Sequence, residues 1–139
     1  MVEIIAGKKG KGKTKYLLDK VNAAVEGASG NIVYLDKSQK HMHELSNKVR
    51  LINVADYPIS NCDEFLGFIC GIVSQDYDLQ EMYLDSFLTI ANLADDQIVH
   101  AIEKLDIISE KFNVKLVLSV SKDEADLPEC AKARLIVSL

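Results

Sequence analysis

Apolar positions along this chain follow two rhythms that take turns. Residues 2–6 (Val-Glu-Ile-Ile-Ala) are a short apolar run closed by Gly7, the pattern of a buried strand. The spacing then changes to three and four: Leu17, Leu18, Val21, Ala24 and Val25 predict a helix from Lys13 to Glu26. Gly27 and Gly30 bracket the break where a helix C-cap belongs. Asn31 to Asp36 returns to a continuous apolar run, Ile32-Val33-Tyr34-Leu35, ending in an acid, and predicts a second strand.

The segment from Lys37 to Lys48 is polar, with a short helix indicated around Met42 and Leu45. Val49 to Val54 predicts another short strand, and Pro58 a turn. Ser60 or Asn61 suits an N-cap, with Asp63 or Glu64 as the partner in a capping box. The helix that follows, over roughly 62–75, is apolar at Phe65, Phe68, Ile69, Ile72 and Val73. Gly67 and Gly71 stand one turn apart in it, each costing about 1 kcal/mol of helix propensity against alanine. Close approach of this helix to a sheet is the expected reason. Leu79 to Asp85 predicts a strand, followed by a loop through Asn92. Asp95 or Asp96 then starts a helix whose stripe of Ile98, Ala101, Ile102, Leu105, Ile108 and Phe112 is the most regular amphipathic pattern in the chain. Lys115 to Val120 reads as a buried strand, Pro128 as the first turn of a short helix, and Arg134 to Leu139 as a last strand.

Strands and helices therefore alternate from end to end. Right-handed crossovers turn such a pattern into an α/β fold: three layers, α/β/α, around a mainly parallel sheet of five to six strands. The 139 residues are expected to form a single minimal domain, 1–139, large enough to bury about two-thirds of its unfolded surface. Ligands in parallel sheets bind beyond the carboxyl ends of the strands. Asp36, Asp85, Ser119 and Ser121 are all expected at that edge, together with the turn after the first strand.

Composition narrows the class. A net charge of −5 argues against broad affinity for nucleic acid or a membrane surface, since both need an extended basic face. No apolar run approaches the length that spans a bilayer. Three cysteines (62, 70 and 130) without C-x-x-C spacing suggest neither a disulfide framework nor a zinc cluster, and Cys70, set in an apolar run, is expected to be buried. His41 and His43 form an H-x-H with no third ligand type close by, so a solvated helix face is expected there. Without a cleavable apolar segment at the start, the expectation is a reduced, cytoplasmic protein.

One stretch departs from the acidic background. Gly7-Lys8-Lys9-Gly10-Lys11-Gly12-Lys13-Thr14 fits G-x-x-x-x-G-K-[ST], the phosphate-binding loop. With Lys15, it holds five of the 16 basic residues, leaving 11 against 21 acidic residues elsewhere. Lysines at a helix N-terminus oppose the helix dipole, each at about 0.3–1 kcal/mol, unless an anion is bound there. The context such a loop needs, a strand before and a helix after, is present. Glycines let backbone N–H groups curl round phosphate oxygens, and the following helix adds free N–H groups and its dipole. Lys13 is expected to reach the β- and γ-phosphates and the Thr14 hydroxyl to ligate Mg²⁺. Gly7, Lys8, Lys9, Gly10, Lys11, Gly12, Lys13, Thr14 and Lys15 are thus the candidate cofactor-binding set, with ATP or another nucleoside triphosphate and Mg²⁺ as cofactors.

On this loop and the element order, nearly the whole chain resembles the P-loop NTPase superfamily. That resemblance implies a metal-holding aspartate after an apolar strand. Asp36 and Asp85 compete for the role. Asp36 follows the better apolar run; Asp85 comes a strand and a helix later, as in the RecA-like and thymidine-kinase-like branch, and is preferred. Lys13 and Asp85 are then the catalytic candidates, and Thr14 and Asp85 the metal ligands. The same branch implies a glutamate after the metal aspartate, where this chain has Ser86, and a polar sensor ending the next strand, where Ser119 or Ser121 stands. Neither of the two arginines, Arg50 and Arg134, is marked as an arginine finger.

The chain is also similar to short bacterial proteins labelled as twitching-motility-type ATPases. Those motors resemble two-domain hexameric machines, whereas a minimal core is expected here. The function implied is Mg·ATP binding with weak or partner-stimulated hydrolysis. The alternatives are a nucleotide-dependent switch or adaptor that binds without turnover, and a small phosphotransferase. An unidentified protein partner fits either of the first two readings, nucleic acid fits none, and oligomeric state stays open.

Overall fold

The computed structural model describes residues 1–139. Six strands are present: β1 (Val2–Ala6), β2 (Asn31–Asp36), β3 (Val49–Asn53), β4 (Leu79–Leu84), β5 (Lys115–Val120) and β6 (Leu135–Ser138). They form one sheet in the order β3-β2-β4-β5-β1-β6, and every pairing is parallel. Five α-helices accompany it: α1 (Lys13–Gly27), α2 (Cys62–Gln75), α3 (Phe87–Ile90), α4 (Ile98–Phe112) and α5 (Glu129–Lys132). The expected α/β/α architecture is what forms, with the sheet at six strands.

Handedness explains which helix lies where. The steps β1 to β2 and β2 to β3 move in one direction along the sheet; the later steps move back in the other. With right-handed crossovers, α1 falls on one face, and α2, α4 and α5 on the opposite face. Two separate apolar clusters record this. One joins Leu17, Leu18, Val21 and Val25 of α1 to Ile5, Ile32, Tyr34, Tyr83 and Val117 of the sheet. The other, larger cluster holds α2 and α4 against residues such as Ile4, Leu35, Leu84 and Leu118.

Two expectations about α2 fail for one reason, the phase of the helix. Its buried face is Cys62, Phe65, Leu66, Ile69 and Val73, so Cys62 is the buried thiol and Cys70 is exposed. Gly67 and Gly71 are also exposed, Gly71 on a groove between α2 and the β2–β3 edge, and a Cβ added at either meets nothing within 4 Å. They do not serve close packing. Asn61 caps α2 by accepting from Glu64 N at 2.9 Å, while the Glu64 carboxylate takes the Ser60 N–H. In α4 the expected stripe is buried except for Phe112, which is half exposed at the last turn. The one helix not expected is α3, a single turn in the segment predicted as loop.

Candidate functional site

Strand alternation brings the chemistry to one face. Successive side chains point to opposite sides of a sheet. With Ile32 and Tyr34 against α1, the next residue in phase on β2 is Asp36; with Val117 there, the next on β5 is Ser119; with Tyr83 there, the next after β4 is Asp85. All three are polar residues at the carboxyl ends of their strands, on the side where the Gly7–Thr14 loop turns into α1. Each is at most 2% exposed.

A cleft of about 530 Å³ opens at this edge. Its walls are Lys9, Gly10, Gly12, Lys13 and Thr14 from the loop; Asp36, Lys37, Ser38, Lys40 and His41 from the end of β2; and Asp85, Ser86, Thr89, Ser119 and Ser121 from the ends of β4 and β5. Gly10 (φ 88°) and Gly12 (φ 91°) take the left-handed backbone that lets the loop fold back on the helix start. Of the other candidate loop residues, Gly7 is packed against the backbone of Leu139, Lys8 pairs with Asp123 at 3.2 Å, Lys15 pairs with Asp19 at 3.2 Å on the outside of α1, and Lys11 is exposed.

Lys13 points inward, 7% exposed, and donates to the carbonyl of Lys8 at 3.1 Å. Burial pushes its ammonium pKa down, opposed by the nearby Asp85 charge. Asp85 is fully engaged. Its Oδ2 accepts from Tyr34 Oη at 2.9 Å, and its Oδ1 from Ser119 Oγ at 2.6 Å and Ser86 N at 2.9 Å. Ser86 N lies 2.8 Å from Ser119 Oγ as well, so β5 is tied to the end of β4 through Asp85. Asp36 differs. Its Oδ1 accepts from Lys37 N at 2.7 Å, but its Oδ2 is buried and has no partner. Burial raises the Asp36 pKa, and the Asp85 charge adds to that rise, while the Lys37 N–H bond, His41 and Lys37 pull it down.

The two competing aspartates therefore end adjacent strands and face one cleft, with the Asp85 N–H bonded to Leu35 O at 2.9 Å. Sequence reasoning named Asp36, Asp85, Ser119 and Ser121 as edge residues but missed Lys37, Lys40 and His41 as walls. The signal was there: they directly follow a strand that ends at the same edge. His41 carries no metal cluster; its Nδ1 lies 2.9 Å from Glu44 Oε1, and no group of three His, Cys, Asp or Glu side chains is arranged for a metal. Arg50 is exposed on the edge strand β3, and Arg134 pairs with Asp106 at 2.9 Å, so neither reaches the cleft. A larger groove of about 730 Å³ runs between α2 and the β2–β3 edge, half apolar, and none of its lining residues belongs to the loop or to Asp36 or Asp85.

No protein-family model matches this sequence, and no curated protein matches it. Solved structures do match in shape. The crystal structure of the flagellar accessory protein FlaH from Methanocaldococcus jannaschii superposes with a TM-score of 0.56 at 14% identity, over 95% of this chain and 65% of that one. The chain thus spans just under two-thirds of that structure's length, and the likeness is one of fold. The shared architecture is three layers, α/β/α, around a parallel sheet, consistent with a P-loop NTPase-like fold. No helix is long and apolar enough to cross a membrane.

Proposed function

We propose that this chain binds a magnesium nucleoside triphosphate, ATP foremost, with hydrolysis that is slow alone or stimulated by a protein partner. The observation that carries the reading is the convergence of Lys13, Thr14 and two buried carboxylates on one cleft, one of which keeps an unpartnered oxygen, Asp36 Oδ2. A buried polar atom without a partner costs about 1–3 kcal/mol, and a cation or a proton donor entering the cleft would relieve that cost at Asp36. Lysines and backbone N–H groups suit a polyphosphate; a hydroxyl and carboxylates suit a hard divalent cation. The residues present fit both halves of Mg·ATP.

In this reading Thr14 and Asp85 hold the metal, which supplies charge neutralisation at the phosphates. Lys13 exchanges its bond to Lys8 O for the β- and γ-phosphates. The loop N–H groups between Gly10 and Thr14 cradle the chain, with Lys9 beside them. Ser119 and Tyr34 fix the Asp85 carboxylate. Asp36 is the carboxylate left to accept a proton from an attacking water, a place that Ser86 cannot fill because its side chain is a hydroxyl. Ser86 supports the second reading, a switch that binds without turnover: the residue after Asp85 is not an acid and sits in a left-handed turn at φ 55°.

A melt with Mg·ATP tests the binding. Ligand at about 100 times Kd adds roughly 2.7 kcal/mol, on the order of 10 °C for a domain of this size. Lys13→Ala is expected to abolish the shift. An unchanged melt in wild type ends the proposal. Phosphate release then separates the readings, since Asp36→Asn stops turnover in a hydrolase while leaving binding in place.

A further inference from the structure

We infer that the cleft reads the phosphates of its ligand and not the base, so that any nucleoside triphosphate, or inorganic tripolyphosphate itself, is held alike. This rests on the binding proposal above and specifies its ligand. Small-molecule sites are ordinarily lined mostly by hydrophobic and aromatic side chains, with a few polar groups. Here none of the 15 lining residues is hydrophobic. A base stacked on an aromatic ring gains about 1–3 kcal/mol, and a bidentate amide reads the edge of adenine. The cleft offers no Phe, Tyr, Asn or Gln. Its one ring, His41, is half-buried and tied by Nδ1 to Glu44. Tyr16, two residues past Thr14, is exposed on α1 and forms no part of the wall.

What the cleft has in place of a base pocket is a surplus of positive charge from two separate segments. Lys8, Lys15 and Lys122, which flank it in sequence, are each paired with an aspartate: Asp123, Asp19 and Asp95. The lysines that line it, Lys9 and Lys13 on the loop and Lys37 and Lys40 after β2, form no ion pair. Four cations thus face two carboxylates, Asp36 and Asp85, and the surplus is positive in a protein of net charge −5. Lys37 and Lys40 add charge that the loop motif does not require. Such a site favours chain length and charge of phosphate, because its surplus lysines act on charge and it has no apolar or aromatic surface on which a base could stack.

Calorimetric titration of the 139-residue chain with the Mg²⁺ salts of ATP, GTP, CTP, UTP and inorganic tripolyphosphate tests this. The five dissociation constants are expected to fall within about fivefold of one another, a difference of roughly 1 kcal/mol. Tyr16→Ala is expected to leave all five unchanged. Lys37→Ala with Lys40→Ala is expected to weaken all five by a common factor of about three- to tenfold. A spread wider than fivefold, a Tyr16 variant that loses one base selectively, or a double lysine variant with undiminished affinity overturns the inference while Mg·ATP binding stands. Failure of all five to bind overturns the nucleotide reading, and this inference with it.

Discussion

The hydroxyl of Tyr34, on β2, donates to Asp85 Oδ2, at the end of the neighbouring β4, across 2.9 Å of protein interior. The ring lies flat against Tyr83, centroids 6.4 Å apart and planes 11° from parallel. Burial, reinforced by the Asp85 charge and the bond itself, raises the phenol pKa far above its usual value and keeps it a donor at any ordinary pH. With Ser119 and Ser86 on the other oxygen, Asp85 has a single orientation. Tyr34→Phe keeps the stack and removes only the bond. It is expected to cost about 1–3 kcal/mol in urea denaturation, and to reduce the stabilisation conferred by Mg·ATP.

Asp36→Asn is expected to stabilise the ligand-free protein at neutral pH. The wild-type carboxyl has a raised folded-state pKa, chiefly through burial. Its contribution to stability is therefore fully present below the unfolded value near 3.9 and is lost as pH rises through the raised folded value. The amide carries no such charge, so the variant's advantage should be absent in acid and grow toward pH 7. Urea melts across that range measure it. Stability that runs parallel in the two proteins would remove the orphaned carboxylate from the account.

Asp85→Asn should behave in the opposite way on the same assay. Three donors converge on the Asp85 carboxylate, Tyr34 on one oxygen and Ser119 and Ser86 on the other, and in the amide one of these two oxygens becomes an NH₂ that cannot accept. A loss of about 1–3 kcal/mol without ligand is expected. Two acids at adjacent strand ends thus have effects of opposite sign on the empty fold.

Gly67→Ala and Gly71→Ala are each expected to raise stability by about 0.5–1 kcal/mol, since both sit in open space on a helix interior. Thermal melts of the single and double variants would show it. Destabilisation would mean that the outer face of α2 is covered in solution.

The periodicity of the chain made the strand–helix alternation legible almost to the residue, because each element is amphipathic or apolar in its own phase. It also carried Asp36, Asp85 and Ser119 to the correct edge. What it did not reveal depends on adjacency in space. That Tyr34 reaches Asp85 follows from β2 pairing with β4, a fact absent from chain order. The buried thiol was assigned to Cys70 instead of Cys62 because both lie in the same helix and a shift of phase exchanges them. The glycines of α2 were given a packing role because composition says only that the positions are small, not which way they face.

The placement of β5 between β1 and β4 bears on the order in which the molecule is made. The strand that leads into the Gly7–Thr14 loop is synthesised before the other five, yet it does not pair with the strand that leads to Asp85; residues 115–120 lie between them, paired with both and bonded to Asp85 through Ser119. A nascent chain that has emerged only as far as α4 holds every lysine of the cleft and both aspartates, but no site. In the proposed reading, a ligand that needs the assembled edge binds only after β5 has docked between β1 and β4. Its main kinetic effect should be to slow the unfolding of the finished fold rather than to speed its formation.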